Sequence, residues 1–200
     1  MPSSAEREED AAAADEGIVV VNAARSLDGC VAGPHHEMDW VFDHHFLPDE
    51  RIDAIENVIA STGAILSGRG SYDVGRASAR KETSSAFGGR WSGPEFVLTH
   101  RPPSEPPRPG LTFLSGDIAG AAGTALRAAR GRNLLVLGAE VGRQCLEADL
   151  VDEILLFVLP ILLGDGIRLF AQARYRESLF HTVRVEQAGQ AAILGFRRNR

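Results

Sequence analysis

Three short stretches of this chain end an apolar run in a glycine or a polar residue and continue with groups that bind anions. In "VLGAEVGRQ" the run ends at Leu137, Gly138 turns the chain, and a helix begins near Glu140 or Val141. The first N–H groups of such a helix attract an anion, and a glycine lets a phosphate approach the backbone closely. "LSGRGSYDVG" repeats the arrangement: Gly68 opens space, Arg69 offers a forked donor and Ser71 a hydroxyl. "VLTHRP" adds Thr99, His100 and Arg101 at a third strand end. Each stretch alone has a plainer reading: a tight turn at Gly138, a helix cap at Ser71, a solvated charge at Arg69. Together they point to one polyphosphate ligand lying across three strand ends. The pattern is neither a full dinucleotide fingerprint nor a Walker loop.

A second group of residues suits a smaller ligand. "SLDG" puts Asp28 just beyond the first strand, where a carboxylate can bond a ligand amide, donate a proton or cap its own turn. Trp40 and Phe42 can wall a planar ligand or pack in the core. His35-His36 and His44-His45 are adjacent pairs with Glu37, Asp39 and Asp43 between them. Adjacent side chains rarely aim at one ion and no metal-ligand spacing occurs, so these are read as loop histidines and no metal is expected. No Gly-x-Ser-x-Gly elbow supports a serine hydrolase.

The elements that must position these groups alternate. "IVVVNAA" from Ile18 is a strand covered on both faces. "DERIDAIENVIAST" carries Ile52, Ile55, Val58 and Ile59 at helical spacing, and Gly63 is expected to end that helix. "AILSG", "EFVLTH" and "LTFLS" are strands; the serine- and glycine-rich stretch after "AILSG" holds one helical turn at its start. "RPPSEPPRPG" is a loop, because five prolines fix φ and remove donors. "DIAGAAGTALRAARG" is a helix with Asp117 at its start, followed by the strand "NLLVLG", the helix "EVGRQCLEAD" and the strand "VDEILLFVLP". "LFHTVRVEQAG" and "AAILGFRRN" form a terminal hairpin. The fold class is therefore α/β, with a mixed, mostly parallel central sheet, flanking helices and an antiparallel C-terminal hairpin.

The 200 residues suit one domain, taken as 17–200, after an acidic, alanine-rich stretch at 1–16 that reads as a disordered tail. A net charge of −6 argues against nucleic acid, whose phosphates need a basic face. Cys30 and Cys145 fit no zinc or redox spacing, no signal peptide precedes them, and no apolar run can span a bilayer. Two reduced thiols in a cytoplasmic protein, with no membrane partner, are expected.

"SLDGCVAG" with "EMDWVF", "LSGRGSYDVG", "FVLTHRPP" and "LVDEILLFVLPILLGDGIRLF" make the chain resemble the dihydrofolate-reductase-like reductases related to the C-terminal domain of the riboflavin biosynthesis protein RibD. The resemblance runs from about residue 18 to 198. It implies a homodimeric NADPH-dependent reductase of a small heterocycle. It places cofactor phosphates near Gly68, Arg69 and Ser71, near Thr99, His100 and Arg101, and at Gly138, Ala139, Glu140 and Val141. It places the substrate by Ser26, Asp28, Gly29 and Trp40, with Asp28 and Glu153 as the catalytic carboxylates. The implied substrate is the ribosylaminopyrimidine of riboflavin synthesis, with a pterin such as dihydrofolate second; an NADP-binding sensor without turnover is the non-enzymatic alternative. The chain departs from the family in having Ala139 and Glu140 where glycine and a small residue are usual, and it carries no zinc deaminase signature.

Overall fold

A computed structural model describes residues 17–48, 51–78, 85–171 and 174–199. The expected tail at 1–16 lies outside the described residues. Eight strands form one sheet: β1 (Val19–Arg25), β3 (Thr62–Gly68), β4 (Glu95–Leu98), β5 (Leu111–Leu114), β6 (Asn133–Leu137), β7 (Glu153–Val158), β9 (Phe180–Ala188) and β10 (Ala191–Arg198). Their order is β5-β4-β3-β6-β1-β7-β10-β9. The six strands from β5 to β7 run parallel, and β10 and β9 add to β7 antiparallel as the hairpin. All six parallel strands thus release their carboxyl ends along one edge.

Alternation along the central strands sends side chains to two cores. Val19 and Val21, with Ala64, Leu66, Leu134 and Val136, pack against the helices α4 (Ile118–Ala128) and α5 (Ala139–Glu147). Val20, Ile65, Leu135, Leu155 and Phe157 face the other way, onto Ile52, Ala54 and Val58 of α2 (Asp53–Ser61) and its approach, and onto Trp91. Two-sided burial is why β1, β6 and β7 read as continuous apolar runs. Asp117 caps α4 by accepting from Gly120 N at 2.7 Å.

Three local expectations need correction. Gly63 does not end α2; the helix stops at Ser61, and Thr62, whose hydroxyl donates to Val58 O at 2.7 Å, already begins β3. Gly63 is needed because a Cβ there would lie 2.3 Å from Ala129 O. The stretch after β3 forms a nine-residue helix, α3 (Arg69–Ala77), not a single turn. The segment after β1 is not all loop either. It contains β2 (Cys30–Ala32) and a short α1 (Trp40–Asp43), and β2 pairs antiparallel with β8 (Ile167–Arg168) in a separate ribbon.

Candidate functional site

The carboxyl ends of β3, β4 and β6 meet. Gly138, the residue before α5, has φ +95°, and a Cβ there would stand 2.4 Å from Ser71 Oγ on the first turn of α3. An L side chain at Gly138 would be strained by this conformation and would displace the Ser71 hydroxyl. A Cβ on Gly68 would come 3.1 Å from Val141 Cγ2, so the two strand-to-helix turns interlock from both sides. Arg69 reaches the third end: its Nη1 donates to the Arg101 carbonyl at 2.5 Å, while its Nε donates to both carboxylate oxygens of Asp73 at 2.8 Å. Thr99 is buried, and its Oγ1 accepts from Arg101 N at 3.1 Å, which shapes the β4 turn; His100 and Arg101 are exposed beyond it.

The sequence-predicted phosphate residues are therefore brought to one neighbourhood. Residues 139–141 start α5, where the first N–H groups have no acceptor within the helix. Glu140 does not set a bare charge against an anion there. Its carboxylate accepts from Arg143 at 2.6 and 3.0 Å and from Gln144 at 2.9 Å, and the Arg143 guanidinium holds its pKa below the usual carboxylate range. The glycines let the two turns pack closely, and the Ser71 hydroxyl and the first N–H groups of α5 are donors of the kind that a dinucleotide's phosphates take.

The substrate-side expectations divide. Ser26 is buried; its hydroxyl accepts from Cys30 N at 2.9 Å and donates to Asp28 Oδ1 at 2.5 Å. Asp28 also accepts from Gly164 N at 2.8 Å and Leu163 N at 3.3 Å. These bonds, led by that from Ser26, lower its pKa from the ordinary 3.8 to about 2. Asp28 is thus a carboxylate that ties the β1–β2 turn to the loop after β7, not a reservoir of protons near neutral pH. Trp40 is buried with Phe46, Leu159 and Ala191 in a small core of its own, and its Nε1 finds no acceptor among the described residues. Glu153 is not gathered to the site. It opens β7 at the opposite edge of the sheet, where Arg197 donates to it at 2.7 Å. No group of three or more histidine, cysteine or acidic residues suited to a metal occurs among the described residues.

Sequence reasoning missed two features. His36, with φ +69°, lies over the start of α3, its Cε1 3.3 Å from the place of a Cβ on Gly70. Arg25 and Arg168 line a cavity of about 220 Å³ with Leu27, Asp28, Gly29 and Phe170. Arg168 lies in the "LLGDGIRLF" stretch and His36 in a histidine pair, but only the topology brings these parts of the chain to a site.

With this geometry in place, the chain can be set beside known proteins. Residues 122–194 match the family model of the RibD C-terminal domain. The match begins inside α4 and includes the Gly138 turn, β7 and most of the hairpin. No curated protein matches the chain. Among solved structures, a protein of Shewanella sp. PV-4 assigned to riboflavin biosynthesis is similar at TM-score 0.74 and 22 % identity, over 92 % of this chain and 99 % of that one. A diaminohydroxyphosphoribosylaminopyrimidine deaminase/5-amino-6-(5-phosphoribosylamino)uracil reductase from Thermotoga maritima is similar at TM-score 0.62 and 18 % identity, over 92 % of this chain but 57 % of that one. Dihydrofolate reductase from Enterococcus faecalis, complexed with NADP(H) and a second ligand, follows at TM-score 0.55 and 14 % identity, over 92 % of this chain and 98 % of that one. The expected fold class is the observed one: the RibD C-terminal and dihydrofolate-reductase fold. No helix among the described residues is long and apolar enough to cross a membrane.

Proposed function

We propose that this chain is an NADPH-dependent reductase of a small heterocyclic substrate, with the cofactor phosphates held across the ends of β3, β4 and β6. The observation that carries the reading is the closeness of Gly138 to Ser71, whose Oγ lies 2.4 Å from the place a Cβ on Gly138 would take, so that two strand-to-helix turns meet. A bound nicotinamide supplies the hydride; the protein binds, orients and excludes water. Gly68, Ser71 and residues 138–141 offer the pyrophosphate space and donors. Asp73 and the Arg101 carbonyl fix the Arg69 guanidinium in place, leaving its Nη2 without an acceptor among the described residues. That nitrogen and the exposed Arg101 side chain supply charge for a 2′-phosphate. With its pKa held well below the ordinary carboxylate value, Asp28 suits positioning the substrate or a proton-carrying water better than giving up a proton of its own.

The first substrate to test is 5-amino-6-(5-phosphoribosylamino)uracil, which the Thermotoga relative's name specifies, followed by dihydrofolate. Titration with NADPH and NADH should give saturable binding with NADPH preferred. Arg69→Ala should lower that preference about tenfold, the effect of one charge-assisted hydrogen bond. Unchanged discrimination removes Arg69 from the role, and absence of binding by either cofactor ends the proposal. Saturable NADPH binding with no oxidation across these substrates favours the sensor.

A further inference from the structure

The cavity over the end of β1 has chemistry that the cofactor turns do not use. Two guanidinium groups flank Gly29: a Cβ there would lie 3.7 Å from Arg25 Nη1 and 4.0 Å from Arg168 Nη1. Both cations thus approach a single point. Arg168 Nη1 donates to the Asp28 main-chain oxygen at 2.8 Å, which aims this exposed side chain across the turn. Arg25 Nε is buried and has no acceptor among the described residues. The one carboxylate in the lining, Asp28, is already engaged by Ser26, Leu163 and Gly164, and it forms no ion pair with Arg25. Two like charges facing one point repel, and an oxyanion between the two Nη1 atoms relieves that repulsion. Exposed Leu27 and Phe170 complete the rim with apolar surface.

We infer that Arg25 and Arg168 form a binding site for one compact oxyanion, a phosphate monoester or a carboxylate, joined to a body that rests on Leu27 and Phe170. At about 220 Å³ the cavity has room for the anionic group. Arg25 ends β1, and β1 pairs with β6 in register Val21↔Val136, so the site adjoins the Gly138 turn along the same sheet edge. Assigning the anion to the reductase substrate rests on the reading above; the anion site itself does not.

The test is calorimetric titration of the full chain with ribose 5-phosphate and with benzoate, against ribose and benzyl alcohol, at constant ionic strength and with NADPH titrated separately. One anion should saturate where its neutral counterpart does not; ribose 5-phosphate assigns a phosphate monoester and benzoate a carboxylate. Arg25→Gln and Arg168→Gln should each weaken it about tenfold or more while the NADPH affinity is kept. Arg168 is exposed, so its variant remains informative if Arg25→Gln does not fold. Anion binding no better than that of the neutral compounds, or unchanged in the Arg168→Gln protein, overturns the site. Loss of NADPH binding by the unmodified protein with anion binding intact rejects the reductase and spares the anion site.

Discussion

Two cavities lie at opposite edges of the sheet, and the smaller is the more informative. The larger, about 640 Å³, runs between α2 and the strands β7, β9 and β10. Its charged groups are already neutralised: Glu153 with Arg197, and Arg184 with Glu186. The smaller, at the carboxyl edge, is lined by Arg25 and Arg168, whose Nη1 atoms approach one point. Volume shows where the chain leaves space, whereas converging charges of one sign set the smaller cavity apart. The same contrast separates the two candidate carboxylates. Asp28 and Glu153 both sit in strand-end motifs, yet one ties together the edge that carries the site and the other belongs to a self-contained surface pair.

The strongest way to break this contrast is Gly138→Ala. The methyl group meets Ser71 Oγ and the φ of +95° becomes strained. NADPH affinity should fall more than tenfold, and denaturant unfolding should show a loss of about 1–3 kcal/mol. Near-normal affinity would separate the Gly138 turn from cofactor binding.

Asp28→Asn comes next. Its folded pKa of about 2 lies below the ordinary 3.8, so its stabilisation is complete above 3.8 and is lost as pH falls toward 2. The wild-type melting temperature should drop across that interval by more than the variant's, and parallel curves would count against the lock. At neutral pH the variant should melt lower because Gly164 N and Ser26 Oγ lose a charged acceptor.

The smallest effect belongs to Glu153→Gln at the other edge. Breaking a partly exposed pair with Arg197 should cost at most about 1 kcal/mol and leave NADPH binding and turnover unchanged. A large fall in turnover would restore Glu153 to catalysis.

Legibility in the sequence followed range. Strands with two buried faces announced themselves, and so did the capped α4 and the terminal hairpin. α3 did not, because "RGSYDVGRA" buries no residue fully; it is held by surface contacts such as the edge-on packing of Tyr72 on Phe113, with ring centroids 5.2 Å apart. β2 and β8 have three and two residues, too few for any periodicity to register. For the site, the glycine turns were readable because each is local. The Asp28 lock was not, since its acceptor role depends on N–H groups 135 and 136 residues away. Arg25 and Arg168 escaped for the same reason.

The position of β1 also bears on how the chain is made. Its neighbours are joined to it by bonds such as Ile18 N to Asn133 Oδ1 and Val19 N to Asp152 Oδ2, spanning 115 and 133 residues. During synthesis this strand leaves the ribosome with neither flank available. It must stay unpaired until β6 and β7 follow, at translation rates of about 5–20 residues per second. For those seconds "VVVNAAR" is an uncovered apolar ribbon, and a ribosome stalled before β7 would release a chain with a strong tendency to aggregate.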